Sequence, residues 1–256
     1  MLLAVDIGNT QTTIGLFVGE ELVAHWRITT DSQKTADEYA AILYGLFRLE
    51  GIDSNKVSAA IISSVVPPLT PAFVDAVLGR WGIDPIIVGP GMKTGVPIRY
   101  ENPKEVGADR IVNAVAAIKK YGAPLICIDF GTATTFDAIS DAGEYLGGAI
   151  LPGVMISLES LFTRTAKLPR IELVNPKRAI GRTTVESMQS GIVYGVIGQV
   201  NELTRRFQEE LAEKATVVAT GGLASTIGPM CELVEVVDLN LTLEGLRLIY
   251  ELNTKN

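Results

Sequence analysis

Asp6-Ile7-Gly8-Asn9-Thr10-Gln11-Thr12-Thr13 stands between two apolar runs, and its pattern returns at Asp129-Phe130-Gly131-Thr132-Ala133-Thr134-Thr135. In each copy an aspartate closes a strand-like segment, glycine marks the turn, and short hydrogen-bonding side chains open the next strand. The flanks repeat too. Leu2 to Val5, Thr12 to Phe17 and Glu21 to Ile28 read as a three-strand meander with turns at Gly8-Asn9 and Gly19-Glu20. Leu125 to Asp129, Thr134 to Ile139 and Tyr145 to Leu151 repeat the same order. An offset near half the chain length predicts two similar α/β domains, 1–121 and 122–256, facing each other across a cleft.

Between the meanders the apolar period changes from two to about 3.6 residues. Thr35 and Glu38 form a capping box, and Tyr39, Ile42, Leu43, Leu46 and Phe47 share one face of the helix that follows. Strands are expected at Val57 to Ser63 and Pro85 to Val88, with a helix opened by Thr70-Pro71 between them. Further helices are expected over Val106 to Lys120, Thr184 to Leu211 and Thr242 to Leu252, with a strand at Ala215 to Thr220 before Gly221-Gly222.

The bulk composition narrows the functional classes. With 256 residues, 47% of them hydrophobic, the chain has enough apolar material for one large core or two modest ones. A net charge of -7 and the lack of a Lys/Arg-dense run argue against a surface built for nucleic acid. Cys127 and Cys231 lie in or beside apolar segments, which argues against a disulfide framework and fits a reducing cytoplasm. The first apolar run meets Asp6 too soon for a leader, and no run reaches the roughly 18 residues of a membrane span. A soluble protein is expected, without membrane or nucleic-acid partners.

The first turn reads as a phosphate cradle without lysine. Gly8 lets backbone N–H groups approach an anion, Asn9, Thr10, Thr12 and Thr13 add donors, and Asp6 is suited to a metal ion or its waters. A single copy could equally be a hairpin turn. Two copies at a cleft could grip one polyphosphate from both sides. Gly221-Gly222 is either a tight turn or a place where a missing side chain admits a flat base. Gly89-Pro90-Gly91-Met92-Lys93-Thr94-Gly95 is not a P-loop, because no glycine precedes Lys93 directly and Pro90 removes a backbone donor. Asp109, in Gly107-Ala108-Asp109-Arg110 at a helix start, could accept a proton from an alcohol while Arg110 holds an anionic substrate. It could also be a plain helix-dipole partner. His25 is expected to pack within its strand, and Cys127 to be an inert core thiol.

These stretches, with Tyr100-Glu101-Asn102-Pro103, Gly147-Gly148-Ala149-Ile150-Leu151-Pro152-Gly153 and Thr220-Gly221-Gly222, resemble in order those of the type III pantothenate kinases. That family lies in the actin and sugar kinase superfamily of duplicated ribonuclease-H-like domains. The resemblance implies an ATP-dependent phosphotransferase acting on pantothenate. It implies ATP contacts from Asp6, Ile7, Gly8, Asn9, Thr10, Gln11, Thr12, Thr13 and Thr132, with Gly221 and Gly222 near the adenosine. It further implies that Asp109 is the proton acceptor, and that Tyr100, Gly107, Ala108, Asp109, Arg110 and Thr184 contact pantothenate. Thr184 would come from the other subunit of a homodimer, although Thr183, which forms a capping box with Glu186, could play that part. Magnesium at Asp6 and a monovalent cation, potassium or ammonium, at Asp129 would offset the triphosphate charge. Some relatives of the family act as accessory regulators of gene expression; the intact acidic residues of both turns and Asp109 weigh against that alternative.

Overall fold

The computed structural model describes residues 1–254, and they build two five-stranded sheets of the same design. In the first, β1 (Leu2–Ile7), β2 (Gln11–Val18) and β3 (Glu21–Thr29) form the antiparallel meander, and β4 (Ala59–Ser64) and β5 (Ile86–Ile87) add parallel strands, giving the order β3-β2-β1-β4-β5. In the second, β6 (Leu125–Phe130), β7 (Ala133–Ile139) and β8 (Tyr145–Pro152) form the meander, and β9 (Thr216–Thr220) and β10 (Val236–Val237) extend it, giving β8-β7-β6-β9-β10. The repeated turn therefore marks a repeated fold. Each parallel crossover carries helical segments, as a strand returning in the same direction requires.

Helices pack on the first sheet. The helix α1 (Ala36–Leu49) starts at the expected capping box: the Glu38 N–H donates to Thr35 Oγ1, and the Thr35 N–H donates to Glu38 Oε2 at 2.8 Å. Its Tyr39, Leu43 and Phe47 meet Phe73 and Val77 of α2 (Thr70–Trp81) over Leu3, Val5, Ile7, Ile14 and Leu16 of the sheet. Each such large side chain contributes about 1.5–3 kcal/mol on burial. The helix α3 (Ala108–Tyr121) follows, and the C-terminal helix α7 (Leu241–Thr254) packs against β1, β2 and β4. Two glycines admit α7: a Cβ on Gly15 would stand 2.8 Å from Leu243 Cδ1, and one on Gly245 would stand 2.1 Å from the Val112 carbonyl oxygen of α3.

On the second sheet, Ile126, Ile128, Phe130, Phe136 and Val217 pack with Val196 and Val200 of the 28-residue α5 (Thr184–Leu211) and with the single-turn α6 (Ala224–Ile227). A helix α4 (Val154–Arg164), not expected from the sequence, follows β8. Residues 165–183 have no regular structure, but Gln189 Nε2 on α5 donates to the Glu172 carbonyl and Ser190 Oγ to that of Ala179. By their contacts the residues fall into two compact units. One takes Met1–Val96, Glu101–Ala116 and the segment from Asn240 onward; the other takes Pro97–Tyr100 and Ala117–Leu239.

Among the described residues, no helix is long and apolar enough to cross a membrane. Both cysteines are buried and free, and burial pushes the Cys231 thiol up to about 11. His25 does not pack as expected. It lies on the exposed face of the edge strand β3, whose inward positions are Leu22, Ala24, Trp26 and Ile28.

Candidate active site

In the first unit the central strand β1 ends at Asp6-Ile7. Asp6 is in register with Thr13 on β2 and Ser63 on β4, and directly paired residues project from the same face of a sheet. Ser63, Asp6 and Thr13 thus set a hydroxyl, a carboxylate and a hydroxyl side by side. Ser63 Oγ is fully buried and has no hydrogen-bond partner among the described residues. The second sheet repeats the row: Asp129 is in register with Thr135 on β7 and Thr220 on β9, and Thr135 Oγ1 is likewise buried without a partner. Ser63 was not singled out from sequence, and Thr135 and Thr220, though within quoted stretches, were given no role there. Their signal was a hydroxyl residue on or at the end of an apolar strand.

The turn after Asp6 is closed by the Gly8 N–H donating to the Gln11 carbonyl at 3.1 Å. A Cβ on Gly8 would stand 2.8 Å from that same oxygen. Thr30 braces the turn from beneath. Its N–H donates to the Thr10 carbonyl at 3.0 Å and its Oγ1 to the Gly8 carbonyl at 2.7 Å. The Thr12 hydroxyl is 2.9 Å from Thr30 Oγ1; since the Thr30 proton is directed to Gly8, Thr12 donates to Thr30. Thr12 is fully buried, whereas Asn9, Thr10 and Gln11 are exposed and Thr13 is half-buried. The side chains open to a ligand in this turn are therefore those of residues 9–11, with Asp6 and Thr13 behind them.

The turn after Asp129 is crowded by segments from elsewhere in the chain. A Cβ on Gly131 would come 3.3 Å from Asp129 Oδ1. Gly221, directly after Thr220, has φ +95°, and a Cβ there would stand 2.3 Å from Asp129 Oδ1 and 2.7 Å from both N and C of Phe130. Only glycine fits both that backbone and that space. Gly222 beside it is exposed. On the other side Gly153, the N-cap of α4, would overlap the Thr132 carbonyl at 2.0 Å if it carried a Cβ. The positive end of the α4 dipole thus lies against the Thr132 turn, where it favours an anion.

The residues expected to hold the acceptor divide between the units. Gly107, Ala108, Asp109 and Arg110 are in the first, at the start of α3. Asp109 is half-buried, and its Oδ1 accepts the Arg110 N–H at 2.8 Å. Gly107 leaves room for it: a Cβ there would lie 2.5 Å from that oxygen. Burial raises the Asp109 pKa above the ordinary carboxylate value, opposed by the Arg110 N–H and the guanidinium charge. A carboxylate so raised is a stronger base than a solvated one.

Tyr100 and Thr184 belong to the second unit. The Tyr100 ring lies over Gly147, where a Cβ would be 3.4 Å from its edge. Thr184 is the exposed first residue of α5. The cap itself is Thr183, whose Oγ1 accepts the Glu186 N–H at 3.1 Å, while Glu186 Oε2 accepts the N–H of Arg182 rather than that of Thr183. Lys93 is tied by its backbone to the Asn253 side chain, in a loop rather than at a strand-to-helix phosphate turn. No group of three or more His, Cys, Asp or Glu residues suited to a metal occurs among the described residues, so any cation here would rely on isolated carboxylates, hydroxyls and ligand oxygens.

Comparison with known proteins finds related chains. A family model described as type III pantothenate kinase matches residues 2–206. A type III pantothenate kinase of Moorella thermoacetica is 56% identical over 254 residues, covering 99% of this chain and 100% of that one. One from Geobacter sulfurreducens is 53% identical over 253 residues, covering 99% of each. Among solved structures, the activator of the 2-hydroxyisocaproyl-CoA dehydratase from Clostridium difficile, with bound ADPNP, matches with a TM-score of 0.55 at 13% identity, over 96% of this chain and 92% of that one. At that identity the likeness is one of fold: an α/β, actin-like architecture.

Proposed function

The chain belongs to the type III pantothenate kinase family, and on that premise we propose that it transfers the γ-phosphoryl group of ATP to the primary hydroxyl of pantothenate. The product is 4'-phosphopantothenate, and the reaction is the first step of coenzyme A biosynthesis. The observation that carries this reading is the duplicated row of Asp6 with Thr13 and Ser63, and Asp129 with Thr135 and Thr220, each followed by a glycine-bearing turn. Such rows suit the two ends of one triphosphate.

In this reading each five-stranded sheet belongs to one of the two duplicated domains, 1–121 and 122–256. The backbone N–H groups and the Asn9, Thr10 and Gln11 side chains bind phosphate oxygens, with Thr12 bracing the turn through Thr30. Asp6, Ile7, Gly8 and Thr13 line the same end of the strand pair, and Thr132 contacts the phosphates beside the α4 N-terminus. Gly221 and Gly222 leave space beside the adenosine. Asp109 accepts the hydroxyl proton as the pantothenate oxygen bonds to the γ-phosphorus, and the bond to the β,γ-bridging oxygen breaks to release ADP. Tyr100, Gly107, Ala108 and Arg110 orient the acceptor, the guanidinium pairing with its carboxylate. Catalysis is mostly positioning and charge stabilisation.

The donor set around Asp6, carboxylate and hydroxyl oxygens, suits magnesium, held directly or through water; Asp129 with its hydroxyl neighbours suits potassium or ammonium. Bound there, the cations would neutralise triphosphate charge that no P-loop lysine offsets. The protein acts in the cytoplasm as a homodimer, with Thr184 contributed to the partner's site. Exposed Ile150, Met155, Ile156 and Phe162, all on β8 and α4, support a self-association surface. The gene-regulatory alternative is not favoured, since the full-length relatives are named as kinases and both acidic turns are intact.

A coupled ADP-release assay tests the proposal. ADP should appear only when pantothenate is supplied, and faster with potassium. Release on sugars but not on pantothenate would overturn it.

A further inference from the structure

Tyr100 is carried on a short segment with little structure of its own, and its attachment to the rest of the second unit converges on one residue. The Tyr145 N–H donates to the Pro97 carbonyl at 2.9 Å, and the Arg99 N–H donates to the Tyr145 carbonyl at 2.8 Å, so Ile98 bridges to Tyr145 like an added parallel strand. Tyr145 opens β8 and is fully buried. Its hydroxyl donates to Asp137 Oδ1 on β7 at 2.6 Å, and Asp137 is fully buried too. The bond is short and wholly shielded from water, so it holds the ring firmly in place. A second clasp lies outside: Arg99 Nε and Nη2 both donate to Glu144 Oε1, one residue before Tyr145. The pairing of β7 with β8 shifts between Ala138 and Ile139, and Gly147 beyond the shift has φ +132°, bringing its bare α-carbon under the Tyr100 ring.

We propose that Tyr145, held by Asp137 and supplemented by the Arg99–Glu144 clasp, is a positioning residue that fixes Tyr100 for the acceptor alcohol. It touches no substrate. Its backbone holds Pro97 to Arg99, its hydroxyl fixes its own place in the core, and its strand supplies the Gly147 platform under the ring. This inference rests on the reading of Tyr100 as an acceptor contact. It concerns the acceptor, because Asp137 shares β7 with the Thr132 turn but Tyr145 and Gly147 lie at the end of β8 away from Pro152, which pairs with Ala133 beside that turn.

The test is steady-state kinetics on the full-length enzyme with each substrate varied in turn. Tyr145→Phe keeps the ring and deletes the hydrogen bond. It should raise KM for pantothenate roughly three- to tenfold, the scale of one buried hydrogen bond, with kcat and the KM for ATP within about twofold. Arg99→Ala, at an exposed position where folding is not at stake, should raise the same KM about twofold. In a Tyr100→Ala background neither change should have any further effect, since there is no ring left to position. If Tyr100→Ala leaves the pantothenate KM unchanged, Tyr100 is not an acceptor contact. If Tyr100→Ala raises it while Tyr145→Phe and Arg99→Ala do not, or if the ATP KM rises in parallel, the positioning role is overturned.

Discussion

Replacing Gly221 with alanine puts a methyl group where the structure has none to spare. The added Cβ would stand 2.3 Å from Asp129 Oδ1 and 2.7 Å from the backbone of Phe130, and φ at this position is +95°. A non-glycine residue on the left-handed side costs about 1–2 kcal/mol. Overpacking against backbone that cannot swing away costs about 1–3 kcal/mol more. The sum, about 2–5 kcal/mol, corresponds to a fall in melting temperature of roughly 4–20 °C for a chain of this size. The strain falls on the Asp129 carboxylate, so on the proposed assignment of Asp129 to a monovalent cation the surviving folded enzyme should also lose activation by potassium. Thermal melting and ADP release titrated with potassium chloride measure the two effects. A variant that melts with the wild type and keeps its potassium dependence would refute both the packing argument and the assignment of Asp129 to the cation.

Asp109→Asn should lower turnover about 10²- to 10⁴-fold, the usual contribution of a positioned base. The same change should raise the melting temperature at neutral pH. The folded-state pKa of Asp109 is raised, so its ionised form costs stability above that pKa, and the cost vanishes as pH falls through it. The melting difference between variant and wild type should therefore close in acid, and the acid limb of wild-type kcat should lie above the ordinary carboxylate range. Thr183→Ala removes the α5 cap and should cost about 1 kcal/mol in chemical denaturation, whereas Thr184→Ala should leave stability unchanged and raise the pantothenate KM.

The duplication could be read from the sequence because its signal is local. An aspartate, a glycine and short polar residues between two apolar runs dictate strand, turn and strand whatever surrounds them, and the structure has that order in both sheets. The helix α1 was equally open to inspection, since Thr35 and Glu38 carry its start in their own side chains. The helix α4 was not. Its cap is Gly153, which makes no side-chain cap bond, and only Val154 and Leu158 are buried, while Met155, Ile156 and Phe162 are exposed, so no single apolar stripe announces it. The amphipathic pattern of α7 predicts a buried face but carries no information about which sheet receives it; the first sheet does, through Gly15 and Gly245.

The site shows the same division between local and distant information. Asp6, Asp129 and Asp109 each stand in a motif that names them. Of the residues that brace those motifs, Thr30 and Ser63 stand in none. Thr30, Ser63, Thr220 and Gly153 reach the turns through tertiary contacts, and no spacing in the sequence relates Thr30 to Thr12 or Gly153 to Thr132. Thr12 has the composition of a phosphate donor, yet it spends its hydroxyl on Thr30, because alternation along β2 turns it inward.

In the proposed reaction three carboxylates, Asp6, Asp129 and Asp109, serve one phosphoryl transfer. A crystal structure with a non-hydrolysable ATP analogue, magnesium and pantothenate measures this directly. Asp6 and Asp129 should flank the triphosphate, and an Asp109 oxygen should lie within about 2.6–3.2 Å of the pantothenate primary hydroxyl. A triphosphate bound away from either turn, or a hydroxyl out of reach of Asp109 with the acceptor seated in line, would contradict it.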